Sequence, residues 1–200
     1  MMIASLTLLL LGADPEWTEL SKKDGFLVER RAVTNSSYYE YRVTTDTDVT
    51  VGPLCDCAFE WGSVSKDHEQ LKDRRLLEDN GELRVTYDQI ATPPPVATRD
   101  VAFTVKRDRR PDGTCRVDFF STNEKAPPLP PGWVRVNKLK GHWYFEPRAS
   151  GTRVTYYLFN DPGGSLPPAL VHGSQRKAAL DTVKKGIRLS REGLAGARRP

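Results

Sequence analysis

The sequence predicts an α+β domain in which one antiparallel sheet is followed by a long C-terminal helix. Six short runs are rich in the β-branched and aromatic residues that strands favour. They occupy residues 71–78, 82–90, 97–107, 114–121, 133–139 and 142–146. Strong turn signals, Asp79-Asn80-Gly81 and Pro111-Asp112-Gly113, separate some of these runs, as expected for a meander of antiparallel strands.

The second observation is the stretch from residue 152 to 189. Residues 152–159 read as a strand, and Pro162-Gly163-Gly164 ends it. A helix is predicted over residues 166–189, because apolar residues recur there at three- and four-residue spacings. These are Leu166, Leu170, Gly173, Leu180, Val183 and Ile187. Such a helix lies back across the sheet and either closes a solid core or caps a cavity.

The first third of the chain supplies further strands and one or two short helices. Residues 17–20 are expected to form a helical turn, and residues 26–33 and 38–45 a hairpin. Residues 48–61 read as a helix with Leu54, Ala58 and Trp61 on one face and Pro53 in its first turn. Residues 127–132, which are rich in proline, are expected to form a stiff loop.

Length and composition indicate one soluble globular domain. The chain has 200 residues, of which 38% are hydrophobic and 28% charged, and these values are typical of a folded domain with a core of its own. The formal net charge of +4 is small and dispersed. We therefore expect no nucleic-acid partner.

The two ends of the chain differ from the domain at residues 14–192. Residues 1–13 are apolar and uncharged, and their length is typical of a signal-peptide core, although a basic n-region is missing. If this segment is a signal peptide, the protein is exported to the periplasm or secreted; otherwise it is cytoplasmic. Residues 193–200 form a basic tail, which favours transient contact with an anionic membrane surface.

The three cysteines, Cys55, Cys57 and Cys115, leave at most one disulfide within the chain. In an exported protein, Cys115 pairs with either Cys55 or Cys57. In a reducing compartment all three remain as small, partly buried thiols. The Cys-x-Cys spacing also occurs in metal sites, but no histidine lies near it in the sequence, and we expect no metal ion.

Three segments resemble the START domain, the lipid-transfer module of the helix-grip superfamily. Residues 93–103, PPPVATRDVAF, are similar to the strand entry of that family. Residues 130–136, PPGWVRV, followed by residues 141–147, GHWYFEP, resemble its central hairpin. Residues 152–156 and 161–167 resemble its last strand and the entry to its C-terminal helix. The likeness extends over roughly residues 17–189, and it rests on the order and spacing of motifs that are each weak alone.

This resemblance implies a curved sheet gripping the C-terminal helix, with a lipid-sized tunnel between them. Because alternate strand residues share a face, we expect Asp100, Ala102, Thr104 and Lys106 to face solvent. The predicted cavity lining is Tyr87, Arg99, Val101, Phe103, Val105, Phe119, Trp143, Phe145, Tyr156, Leu170 and Leu180. Some sterol-binding members have an arginine where this chain has Val105, which argues against a sterol. Arg99 and Asp100 are expected to fasten a strand edge.

The sequence therefore predicts a protein that binds a lipid or another hydrophobic molecule in an internal cavity for carriage or transfer. The alternative is a cyclase-like enzyme that uses the same cavity; a third possibility is a protein-interaction module with a solid core. Of His68, His142 and His172, only His142 is a candidate acid or base, and strand alternation turns it away from Trp143 toward the outside. We expect no catalytic residue, no metal site and no cofactor.

Overall fold

A computed structural model describes residues 15–63 and 70–193. Within these ranges ten strands form one sheet that is antiparallel except for the short strand β8. The strands are β1 Thr18–Lys23, β2 Phe26–Ala32, β3 Tyr39–Thr47, β4 Leu71–Asp79, β5 Leu83–Ile90, β6 Arg99–Arg109, β7 Cys115–Ser121, β8 Val134–Arg135, β9 Lys138–Arg148 and β10 Gly151–Asp161. The helices are α1 Val51–Ser63 and α2 Pro168–Glu192, with a 3₁₀ turn at Asn123–Lys125.

The strand order is β1-β2-β3-β10-β9-β7-β6-β5-β4, with β8 paired in parallel to the start of β6. Both helices lie on the same side of this curved sheet, which we call the inner face. Helix α1 packs on β6, β7 and β9, while α2 packs on β3, β10 and α1. The predicted α+β class, the single dominant antiparallel sheet and the C-terminal helix across it are confirmed.

Most predicted elements are present with small shifts at their ends, but the predicted helical turn at residues 17–20 is wrong. Strand β1 occupies this region and pairs with β2, so that Lys23 lies opposite Phe26. The two intervening residues, Asp24 and Gly25, both have positive φ. Asp-Gly in this conformation is a two-residue hairpin turn. Asp24-Gly25 therefore closes a hairpin between β1 and β2.

The predicted division between strands at residues 133–139 and 142–146 is also wrong. Strand β9 runs without a break from Lys138 to Arg148, and only Val134–Arg135 forms a separate strand. Gly141 lies inside β9, opposite Phe119 of β7. The glycine therefore makes room for an aromatic ring and does not interrupt the strand.

A disulfide joins Cys55 of α1 to Cys115 at the start of β7. Cys57 is buried and reduced, and its Sγ contacts the backbone oxygen of Gly186 on α2 at 3.6 Å. Of the two pairings that the sequence left open, the structure has Cys55 with Cys115. The two residues of the Cys-x-Cys pair thus point to different neighbours, and they do not form a joint metal site.

Several expectations concern residues outside the described ranges. The signal-peptide interpretation of residues 1–13 and most of the basic tail, residues 194–200, lie there, as does His68. In the described part of the chain, neither helix combines the length and the apolar character needed to cross a membrane.

The disulfide predicts a measurable loss of stability on reduction. It closes a loop with a sequence separation of 60 residues, so its removal should lower the free energy of unfolding by about 2–4 kcal/mol. Urea denaturation with and without reductant measures this difference. A Cys57→Ala variant should keep the sensitivity to reductant, and a Cys115→Ala variant should lose it. Identical unfolding curves of the unmodified protein in both conditions would contradict the assigned bond.

Candidate functional site

The inner face of the sheet is apolar across its centre. Tyr156 of β10 lies opposite Trp143 of β9, which lies opposite Val117 of β7, and directly opposed residues share a face. These residues are buried, together with Val101, Phe103, Val105 and Phe145 of the predicted cavity lining. The structure therefore brings together most of the predicted lining; contact of these side chains with a ligand stays a prediction.

Tyr87 of the predicted lining lies on the outer face of the sheet. Its position opposite Ala102 places it on the face opposite to Val101 and Phe103, and its hydroxyl donates to Oδ2 of Asp100 at 2.9 Å. Desolvation and the neighbouring carboxylate raise the pKa of this phenol. The prediction that Tyr87 lines the cavity is therefore wrong, because the register of β5 against β6 decides which face of β5 is the inner one.

Asp100, Ala102 and Thr104 were expected to face solvent, yet all three are buried. The segment after β7 covers them, because the side chain of Asn123 accepts from the amide of Ala102 and donates to the carbonyl oxygen of Val136. Arg135 donates two hydrogen bonds to Asp100, of 3.0 and 2.7 Å, and a third to the carbonyl oxygen of Pro127. Asp100 thus fastens β8 and the proline-rich loop to the sheet.

Arg99 lies on the inner face at the first position of β6, and it is 6% exposed. Its guanidinium donates to the carbonyl oxygen of Ala97 at 2.6 Å and to that of Pro162 at 3.3 Å. Pro162 belongs to the connection between β10 and α2. Arg99 therefore holds the entry to the C-terminal helix, whereas the sequence predicted that it fastens a strand edge together with Asp100.

Helix α2 is seated on the sheet in two different ways. Its C-terminal half packs tightly through Val183 and Ile187, and the Trp143 ring lies against Gly186, where an added Cβ would be 3.1 Å from it. Its N-terminal half is held by hydrogen bonds: the Tyr41 hydroxyl donates to the carbonyl oxygen of His172 at 3.0 Å, and Nε2 of Gln175 donates to the carbonyl oxygen of Asn160 at 2.6 Å.

The rotation of α2 overturns one member of the predicted lining. The residues that face the sheet are Val171, Gln175, Ala179 and Val183, at four-residue spacing, so Leu170 points outward and is 70% exposed. Leu180 is half-buried against the core. The prediction for Leu170 is wrong because the sheet-facing side of α2 includes a polar residue, Gln175, which a pattern of apolar residues alone does not reveal.

Phe119, Leu139 and Leu158 of the inner face are only partly buried, and so is Leu180 of α2. We call these four side chains the accessible apolar group. Their neighbours Val117, Trp143 and Tyr156 are buried. Space for the Phe119 ring comes from Gly141, because a Cβ at that position would be 2.2 Å from the ring. Apolar surface therefore stays accessible at one end of the helix–sheet interface.

The inner face also carries a charged pair that the sequence analysis missed. Arg74 of β4 donates to both carboxylate oxygens of Asp88 on β5, at 2.6 and 2.5 Å, and both residues are buried. Asp88 lies opposite Val101, and the Arg74 guanidinium is 5.7 Å from the centre of the Phe103 ring. Burial raises the pKa of Asp88, although Arg74 opposes this shift. The pair could have been predicted from the sequence, because Arg74 and Asp88 carry opposite charges on two strands that were predicted to be neighbours.

A surface groove of about 500 Å³ lies at the other end of α2. Phe26 and Ile187 contribute its apolar surface, and its rim carries charged residues of both signs, among them Asp24, Asp46 and Lys184. This groove opens beside the β1–β2 turn and the end of β3. It is separate from the accessible apolar group and from the predicted lining.

His142 lies on the outer face, as strand alternation predicted. Its ring stacks on Tyr157 with 5.1 Å between centroids. Burial, with a contribution from Arg116, lowers the pKa of His142 to about 4, so the ring is neutral near neutral pH and lies away from the inner face. Residues 15–63 and 70–193 contain no cluster of three or more potential metal ligands.

Comparisons with known proteins give one consistent family. The family model described as START domain matches residues 64–192. An uncharacterized protein of Pseudomonas aeruginosa is 32% identical over 178 residues, which cover 88% of this chain and 87% of the relative. The phosphatidylcholine transfer protein of Rattus norvegicus is 26% identical over 184 residues, covering 90% of this chain and 85% of the relative.

A solved structure shows the same fold. The STAR-related lipid transfer protein (fragment 25-204) of Xanthomonas axonopodis superposes with a TM-score of 0.74, covering 88% of this chain and 98% of that chain. Its sequence identity is 24%, so this likeness concerns the fold alone.

The close approach of Phe119 to Gly141 predicts that this glycine cannot be replaced. In Gly141→Ala the new Cβ would be 2.2 Å from the Phe119 ring and 2.3 Å from the carbonyl oxygen of Tyr157, so we expect a loss of about 1–3 kcal/mol in the free energy of unfolding. Gly173→Ala is the matched control. Its Cβ meets nothing within 4 Å on α2, and the change should stabilise the helix slightly. Equal stabilities of the two variants in urea denaturation would refute this packing.

Proposed function

Because the chain belongs to the START domain family, we propose that it binds one lipid between α2 and the inner face of the sheet and carries it between membranes. The accessible apolar group carries this proposal: Phe119, Leu139 and Leu158 of the sheet and Leu180 of α2 retain accessible surface where the helix meets the inner face. Burial of apolar surface contributes about 25 cal/mol per Å². A few hundred Å² of lipid chain would therefore supply several kcal/mol before the cost of association.

The names of the relatives support a lipid cargo. One is a phosphatidylcholine transfer protein and another a STAR-related lipid transfer protein. Both relatives are less than 30% identical to this chain, so we infer from their names only that the cargo is a lipid and not which lipid it is. A cyclase-like enzyme finds no support in the histidine that the sequence suggested, because His142 stacks on Tyr157 at the outer face.

Two exposed leucines support a docking surface for a membrane. Leu129 of the proline-rich loop is 44% exposed and Leu170 of α2 is 70% exposed. The segment that follows the proline-rich loop contacts the connection before α2, because the amide of Asn137 donates to the carbonyl oxygen of Asp161 at 3.1 Å and a Cβ on Gly163 would be 3.1 Å from the Val134 side chain. The N-terminal half of α2 adds two exposed basic residues, Arg176 and Lys177. Apolar tips beside basic residues suit an anionic membrane surface.

We also propose that the protein works in an oxidising compartment. The disulfide between Cys55 and Cys115 supports this, because such bonds persist outside the reducing cytosol. It agrees with the export that the apolar segment at residues 1–13 predicts. We therefore predict that protein molecules recovered outside the cytosol contain the Cys55–Cys115 disulfide and lack residues 1–13.

The transfer and docking proposals are tested together by following a fluorescent lipid from donor to acceptor vesicles. The unmodified protein should accelerate transfer, and Leu129→Ser and Leu170→Ser should each slow it severalfold, because less apolar surface enters the membrane. Phe120→Ser is the matched control: Phe120 is 43% exposed but lies on the outer face of β7, opposite Thr104, so its rate should be unchanged. The absence of transfer by the unmodified protein would overturn the function, and equal slowing by all three variants would overturn the docking surface.

A further inference from the structure

Arg99 is a buried cation without a carboxylate partner among the residues that the structure describes. Its two hydrogen bonds go to the carbonyl oxygens of Ala97 and Pro162, and three of its five N–H groups have no acceptor there. The carboxylate of Asp161, which precedes Pro162 in the chain, accepts a hydrogen bond from the backbone amide of Gly163. Burial lowers the pKa of Arg99. A buried charge is normally paired, and Arg74, by contrast, has Asp88.

Gln175 has the opposite deficiency: its side-chain oxygen is an acceptor without a donor among the described residues. Its side chain is 6% exposed, and its Nε2 donates to the carbonyl oxygen of Asn160. A carbonyl oxygen can only accept, so this bond fixes the orientation of the amide. Oε1 of Gln175 is therefore turned away from Asn160, and it has no donor in the described part of the chain. A buried oxygen left in this state is costly.

The same region contains a second unpartnered oxygen, Oδ1 of Asn160, again judged among the described residues. Asn160 shares the inner face with Tyr156 and Leu158, since alternate residues of β10 point the same way. It is two residues from Pro162, whose carbonyl oxygen binds Arg99, a separation of about 7 Å in extended chain. Gln175 and Arg99 thus bond to backbone carbonyl oxygens only two residues apart, those of Asn160 and Pro162. We treat the side chains of Arg99, Asn160 and Gln175 as one cluster, next to Leu158 of the accessible apolar group.

We infer that this cluster is the subsite for the polar head of the cargo, and that the preferred cargo carries both an anionic oxygen and an N–H or O–H donor. The inference rests on the proposed lipid-binding function and specifies its ligand. The anionic oxygen pairs with the free N–H groups of Arg99. The donor reaches the oxygens of Gln175 and Asn160 when the head enters beneath the N-terminal half of α2.

This chemistry distinguishes common phospholipids from one another. The head of phosphatidylethanolamine offers an anionic phosphate and an ammonium group with N–H donors. The head of phosphatidylcholine has the same phosphate, but its methylated ammonium has no hydrogen to donate. Diacylglycerol has a hydroxyl donor and no anion. The cluster therefore predicts a preference for phosphatidylethanolamine over both, although a relative is a phosphatidylcholine transfer protein.

The test measures uptake from mixed vesicles by native mass spectrometry. The lipids are phosphatidylethanolamine, its N-methyl and N,N-dimethyl forms, phosphatidylcholine, phosphatidic acid and diacylglycerol, all with identical acyl chains. Uptake should fall along the methylation series, with phosphatidylethanolamine favoured over phosphatidylcholine about tenfold. Phosphatidic acid should be favoured over diacylglycerol by a similar factor. Equal uptake in the first comparison would overturn the donor requirement, and equal uptake in the second would overturn the role of Arg99.

Gln175→Met keeps the length and helix propensity of the side chain and removes its oxygen. The ratio of phosphatidylethanolamine to phosphatidylcholine should then approach one while total uptake persists, whereas the exposed control Ser174→Met should keep the ratio of the unmodified protein. An unchanged ratio in Gln175→Met would refute the subsite. Soluble glycerophosphoethanolamine should not displace the lipid; if it does so at equal concentration, the site takes a free phosphate ester and the lipid assignment fails. Uptake of no lipid at all would instead overturn the proposed function.

Discussion

The seating of α2 on the inner face is the interaction on which the rest of the structure depends. A sheet of this size has an apolar face that must be covered, and α2 covers it unequally along its length. Around Gly186 the helix approaches the Trp143 ring closely, since an added Cβ would lie 3.1 Å from that ring. Around His172 and Gln175 it is held by hydrogen bonds to Tyr41 and Asn160. The C-terminal half is fixed by close packing, and the N-terminal half adds hydrogen bonds to the contacts of Val171 and Ala179.

The remaining elements support this division. Helix α1 contacts the well-packed half of α2, with Cys57 beside Gly186, and its disulfide to Cys115 fastens it to the sheet. At the opposite end, Arg99 holds the entry to α2 and Asp100 holds the proline-rich loop through Arg135. The accessible apolar group lies toward this second end, where Asn160 and Gln175 also lie. Local differences in how the helices are held to the sheet thus separate a closely packed region from one that keeps accessible apolar surface.

Much of the fold followed from local sequence patterns, because period-two and helical patterns and strong turn signals are local. What was missed depends on long-range pairing. The face of Tyr87 is set by the register of β5 against β6, which no local pattern fixes. The outward position of Leu170 follows from a buried glutamine, which a hydrophobic pattern does not reveal. The burial of Asp100 requires Arg135, 35 residues away in the sequence. The Asp24-Gly25 turn is a local signal for a hairpin, yet residues 17–20 before it were expected to be helical.

Native mass spectrometry of the protein purified from its own host, with extraction of whatever is bound, tests the central claim most directly. The account predicts one lipid molecule per chain, retained under gentle ionisation and released on unfolding. A protein that arrives empty, and that also fails to take up fluorescent lipids from vesicles, would contradict it. In that case the surface of Phe119, Leu139 and Leu158 would belong to a filled core, and binding by this face would have to be abandoned.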